Sequence, residues 1–202
     1  MLKKLFGREE AENTYLIAGL GNPGKEYQDN RHNVGFMVAS KLAEKLGENF
    51  SRMQSNAMIA KAQHKDLRII LAKPRTFMNN SGQAVAALVR FYKVPQHNIL
   101  IIYDEADLPY ETLRLRPEGR SAGQKGMKSV LQHLGTQEIA RLRVGVGRPP
   151  GRMSTPDYVL QDFSKQQKET LPFVIDHAAE AALAFIEEGI ETAMNQYNGA
   201  EA

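Results

Sequence analysis

Apolar positions in this chain recur with two alternating periods, and the switches between them predict an interleaved series of strands and helices. Residues 14–20 read as a buried strand, bounded by Gly19-Leu20-Gly21-Asn22-Pro23-Gly24 and a polar stretch to Asn33. Val34, Val38, Leu42 and Leu46 then fall on one helical face, with Gly47 as the stop. Residues 57–62 and 67–72, separated by His64-Lys65-Asp66, predict a hairpin that Lys73-Pro74 closes. A helix is expected over 83–92, halted by Pro95, and a strongly apolar strand over 99–103. Leu and Arg alternate over 112–116, and Leu142, Val144 and Val146 alternate with Arg143 and glycines over 141–147, so both segments read as strands with arginines on one face. A helix over 127–134 lies between them. The C-terminal third is helical, opened by a capping box at Ser164 and Gln167, broken or kinked at Pro172, and ended by Gly189. This interleaving predicts an α/β fold, one domain over 14–198 with a mixed twisted sheet flanked by helices, preceded by a flexible N-terminal extension over 1–13.

Composition narrows the class. With 202 residues, 42% of them hydrophobic and 24% charged, the chain can bury a sizeable core. Cysteine is absent, which excludes disulfides and thiolate metal sites and fits a reducing compartment. No apolar run approaches the ~20 residues of a membrane span, and the basic start lacks the apolar core of a signal peptide, so a cytoplasmic protein is expected. The net charge of +3 is small, but its distribution is uneven. Residues 114–152 hold nine basic and two acidic side chains, a balance of +7 against −4 elsewhere.

Three strand ends carry the candidate chemistry. The Gly19–Gly24 loop matches the G-x-G-x-x-G spacing of dinucleotide sites, but Pro23 removes an amide and a polar segment delays the helix whose N-terminus should meet the phosphates. A plain turn and a nucleotide site are both readings of that loop alone. Asp104 ends the most apolar strand and could orient a base, bind a cation or cap a loop. Together, Asn22, His32, Asn79 and Asp104 suggest hydrolysis by an activated water, with His32 as general base, Asp104 fixing its tautomer and the two amides positioning carbonyl and water. With no cysteine and no G-x-S-x-G elbow, a covalent intermediate is disfavoured.

The motifs as a set resemble the bacterial peptidyl-tRNA hydrolase family. They are the Gly19–Gly24 loop with Tyr27, Arg31-His32-Asn33-Val34-Gly35, the run from Lys73 to Gly82, Asp104-Glu105-Ala106-Asp107-Leu108-Pro109 and the run from Arg141 to Gly147, in family order over about 14–190. The resemblance implies a single-domain monomer that needs no cofactor and cleaves the ester between a peptide and the 3′ ribose of tRNA, recycling tRNA from aborted translation. It assigns His32 as base, Asp104 as its orienting partner and Asn22 as the group that discriminates a blocked aminoacyl group from a free one. Tyr27, Phe77 and Asn79 match positions that contact the tRNA 3′ end or peptide, and Arg116 and Arg143 fall where basic residues clamp the acceptor-stem phosphate. Where many members read His-Asn-Gly, this chain reads Gln124-Lys125-Gly126. Lys125 cannot accept a hydrogen bond as the family's Asn does, so it is expected to contact phosphate or the peptide carbonyl as a charged donor. Gln124 and Lys128 are further candidate RNA contacts. The same departure motivates a second reading, an RNA-binding protein that keeps the fold without turnover.

Overall fold

The computed structural model describes residues 12–199. All but the last two positions of the 1–13 extension lie outside the described residues. One seven-stranded sheet runs in the order β2-β3-β4-β1-β5-β7-β6. Its strands are β1 (Thr14–Gly19), β2 (Arg52–Gln54), β3 (Ala57–His64), β4 (Leu67–Pro74), β5 (Ile99–Glu105), β6 (Leu113–Arg116) and β7 (Ala140–Gly145). The four central strands β4, β1, β5 and β7 are parallel, while β2, β3 and β6 pair antiparallel at the two sides.

Strand alternation divides the core between the two faces of this sheet. Ile17, Ile69, Leu71, Leu100 and Ile102 point to one face, where α1 (Val34–Lys45), α5 (Lys165–Glu188) and α6 (Ile190–Tyr197) cover them. Leu16, Ala18, Ile70, Ile101 and Tyr103 point to the other, beneath α2 (Ser81–Tyr92) and α3 (Lys125–Leu134). Each inner strand is buried on both sides, so its sequence reads as continuous apolar residues.

The chain departs from its sequence pattern in four places. β2 is an exposed three-residue edge strand with no apolar period to announce it. A short helix, α4 (Thr155–Val159), precedes the Ser164 cap, with Ser154 as its own N-cap. α5 is not broken at Pro172; it continues for 24 residues, because Val174, Ala178, Ala181, Ala182 and Phe185 are buried in the core beyond the proline. α3 begins at Lys125 rather than 127, with Gln124 as its cap. Gly126 reads as loop but sits in the helix, where a Cβ would lie 2.3 Å from Met78 Sδ.

Candidate active site

The strand order reverses about β1: the chain passes from β1 to the β2–β4 side and then crosses from β4 to β5 on the other side. A crevice therefore opens at the carboxyl ends of these strands, the place where parallel α/β sheets bind ligands. The chain reaches it tightly. A Cβ on Gly35 would meet Ile102 O at 2.3 Å and Leu20 N at 2.6 Å, so glycine lets the first turn of α1 lie directly on the strand ends. The glycine loop is thus followed by two single 3₁₀ turns, Lys25–Tyr27 and Arg31–Asn33, and the α-helix starts only at Val34. This geometry offers only a single 3₁₀ turn, not an α-helix N-terminus, to a dinucleotide at Gly24.

His32 sits in the second 3₁₀ turn and Asp104 near the end of β5, and their side chains meet. Nδ1 of His32 is 2.9 Å from both carboxylate oxygens of Asp104, which is 4% exposed. A carboxylate only accepts, so Nδ1 carries the proton and Nε2 is left as the basic nitrogen. Asn22 is held on three sides: its N–H donates to Asn33 Oδ1 (2.8 Å), its carbonyl accepts from Asn33 Nδ2 (3.0 Å), and its Oδ1 accepts from Met78 N–H (2.8 Å). With Oδ1 committed to a backbone donor, Nδ2 is the free end of the amide.

These groups line one cleft of about 620 Å³, together with Phe77, Asn79, Gln124 and Lys125. Phe77 is exposed, a flat apolar surface beside the His–Asp pair. The opposite wall is α4, contributing Thr155, Pro156 and Val159. A second groove of about 590 Å³ adjoins at Asn22 and is lined by Lys25, Phe36, Phe50, Met58, Lys73 and Arg75. There burial pulls the Lys73 ammonium down to about 8; it lies 4.2 Å from the Phe50 ring centre and donates to Ser40 Oγ.

Other expected contacts lie elsewhere. Tyr27, Lys128 and Arg116 do not line the cleft. Arg143 is half-buried and paired with Glu105 at 3.4 Å; burial raises the Glu105 carboxyl, and the nearby guanidinium only partly offsets this. Gln124 points inward, donating to Asp104 Oδ1 at 3.2 Å. Two supporting residues enter the sequence only as members of the Arg31–Gly35 motif, with no role of their own. Asn33 holds Asn22, and buried Arg31 ties the His32 turn to the α4 wall through the carbonyls of Tyr158, Gln161 and Asp162 and the side chain of Gln167. Their adjacency to His32 in one polar run was the available sign. Among the described residues, no group of three or more His, Asp or Glu is placed to hold a metal ion.

The Peptidyl-tRNA hydrolase family profile matches residues 16–202. The chain belongs to the peptidyl-tRNA hydrolase family. It is an enzyme of that family rather than a binding protein on the same fold. A peptidyl-tRNA hydrolase of Chloroflexus aurantiacus is 45% identical over 185 residues, covering 91% of this chain and 98% of the relative. One from Streptomyces coelicolor is 47% identical over 190 residues, covering 91% and 94%. The crystal structure of the Acinetobacter baumannii peptidyl-tRNA hydrolase superposes with a TM-score of 0.87 at 31% identity, covering 94% of this chain and 97% of that one. The expected single α/β domain with a mixed sheet agrees with these structures, and no helix among the described residues is long and apolar enough to cross a membrane.

Proposed function

We propose that this peptidyl-tRNA hydrolase cleaves the ester between a peptide, or an N-blocked amino acid, and the 3′ ribose of tRNA by a His32-activated water, without a covalent intermediate. The observation that carries the reading is the His32–Asp104 pair: both carboxylate oxygens engage Nδ1, so Nε2 faces the cleft as a base. Nε2 takes a proton from water as its oxygen attacks the ester carbonyl. The negative charge that develops on the carbonyl oxygen is met by amide donors, Asn22 Nδ2 and the Asn79 side chain. Collapse expels the ribose oxygen, which receives the proton back from the imidazolium; the products are a peptide carboxylate and a free tRNA 3′ end. The absence of cysteine, and of any hydroxyl side chain bonded to His32 among the described residues, supports direct attack by water over an acyl-enzyme.

Phe77 offers its exposed face to a base or apolar side chain, and Lys125 at the rim meets phosphate or a peptide carbonyl. Arg116 and Arg143 clamp the acceptor stem from the β6–β7 side, and Tyr27 and Lys128 act outside the cleft. The enzyme acts as a monomer in the cytoplasm and needs no cofactor.

The test is His32→Ala assayed on peptidyl-tRNA. Turnover should fall by about 10²–10⁴, the usual worth of a general base, while tRNA binding stays within a few-fold. Turnover that survives removes His32 from its role.

A further inference from the structure

We infer that Gln124 is a positioning residue for this reaction rather than an RNA contact: its amide nitrogen holds the Asp104 carboxylate, and its carbonyl locks the amide so that only the nitrogen can face that carboxylate. The inference rests on the reading of His32 as base.

Gln124 spends both ends of its side chain inside the protein. Oε1 accepts from Met127 N–H at 2.7 Å, capping α3, while Nε2 donates to Asp104 Oδ1 at 3.2 Å and approaches Met78 Sδ at 3.4 Å. Turning the amide over would set a carbonyl against a carboxylate and an amide nitrogen against a backbone N–H. The orientation is therefore fixed by its surroundings. Gly126 keeps this corner tight, since a Cβ there would lie 2.3 Å from Met78 Sδ and 3.1 Å from Gln124 Oε1. Met78 in turn donates its N–H to Asn22 Oδ1, so one side chain touches the Asp104 support and the residue that orients Asn22.

Oδ1 of Asp104 is thus shared between His32 Nδ1 and Gln124 Nε2. A neutral donor on that oxygen draws off part of the charge that would otherwise stabilise the imidazolium, which favours a neutral imidazole. It also holds the carboxylate plane so that both oxygens stay 2.9 Å from Nδ1. A neutral amide does this without titrating itself. The other charged groups facing the pair are Glu105 at the end of β5, Asp107 just beyond it and Lys125 on α3; the lining residues of α4 are uncharged, and Arg31 points away into the α4 wall. None of them changes when Gln124 does.

Two variants separate the roles. Gln124→Glu keeps an acceptor for Met127 N–H but loses the donor and adds a negative charge, whereas Gln124→Met loses donor and cap together. The His32 imidazole is titrated by NMR in the free enzyme, and kcat and KM for peptidyl-tRNA are followed against pH. In both variants the imidazole midpoint and the acid limb of kcat should move up by about one pH unit, lowering kcat about tenfold below the limb, with KM within about threefold. The shift should be larger for Glu, whose carboxylate faces that of Asp104 and lowers the melting temperature by like-charge repulsion even though the cap is kept. Unmoved midpoints with a lower melting temperature for Gln124→Met alone would reduce Gln124 to a helix cap and overturn the inference. A raised KM with an unchanged kcat profile would overturn it in favour of an RNA contact. If the midpoint moves and the acid limb does not follow, the positioning stands and the assignment of His32 as base fails.

Discussion

Lys73 shows how a single residue in the second groove trades stability for charge. Burial lowers its ammonium to about 8, below the usual lysine value of 10.5, so folding is penalised wherever the unfolded chain holds that proton more firmly. The penalty is complete below pH 8 and fades as pH rises from 8 towards 10.5. Lys73→Met should therefore stabilise the protein at pH 7, by about 1–2 kcal/mol once solvent in the open groove is allowed for, and the gain should vanish above pH 10.5. Urea unfolding at pH 7 and at a pH above 10.5 checks it. Arg143 carries the opposite balance. Its removal as Arg143→Met leaves Glu105 buried without its partner and should cost about 1–3 kcal/mol, read from the same unfolding curves.

The elements around the cleft are held by contacts that their own periodicity does not require. α1 can lie on the sheet only because Gly35 has no side chain, and the clashing atoms are backbone, which cannot swing aside. Gly35→Ala should destabilise by about 3 kcal/mol or more, or force α1 and the His32 turn away from Asp104; circular dichroism melts and a loss of kcat would report either. α5 is bounded by a complete capping box, with Ser164 Oγ accepting from Gln167 N–H and Gln167 Oε1 accepting from Ser164 N–H. Gln167 Oε1 also accepts from Arg31 Nη2, so the cap doubles as an anchor for the His32 turn. Ser164→Ala should cost about 1 kcal/mol in a melting experiment. Leucine at Gln167 should cost more, because it also strips a partner from buried Arg31.

For the whole molecule, charge segregation is real but smaller at the surface than the sequence count suggests. β6 and β7 pair Arg114 with Arg143 and Arg116 with Arg141, so four arginines share one face of the ribbon. Like charges opposite one another are unfavourable, and the fold relieves two of them internally. Arg141 is fully buried and donates to the carbonyls of Gly119, Arg120, Gln137 and Ile139, bracing the loop ahead of Gln124. Arg143 pairs with Glu105. Arg116 alone of the predicted clamp is freely exposed. Arg116→Glu should weaken tRNA binding and lower its salt dependence by about one to two phosphate contacts, with kcat and stability unchanged, in a binding titration across ionic strength. A variant that instead lowers kcat at saturating substrate would place Arg116 outside the clamp.

The sequence by itself determined the elements and their order, because each inner strand and each amphipathic helix carries a local period that burial makes obligatory. It also brought forward the candidate groups: Asn22, His32, Asn79 and Asp104, expected from the motifs, line one cleft. What it could not decide was which side chains spend their polar atoms inward. Gln124 and Arg143 are expected as RNA contacts, and the structure adds partners that no spacing announces: Gln124 caps α3 and holds Asp104, and Arg143 pairs with Glu105. Asn33 and Arg31, given no role by the motif that contains them, fasten the site. Pro172 reads as a break or a kink, and the buried residues after it keep α5 continuous. Only the tertiary structure settles these, because a polar atom's role depends on partners up to 136 residues away, as between Arg31 and Gln167, which no local spacing encodes.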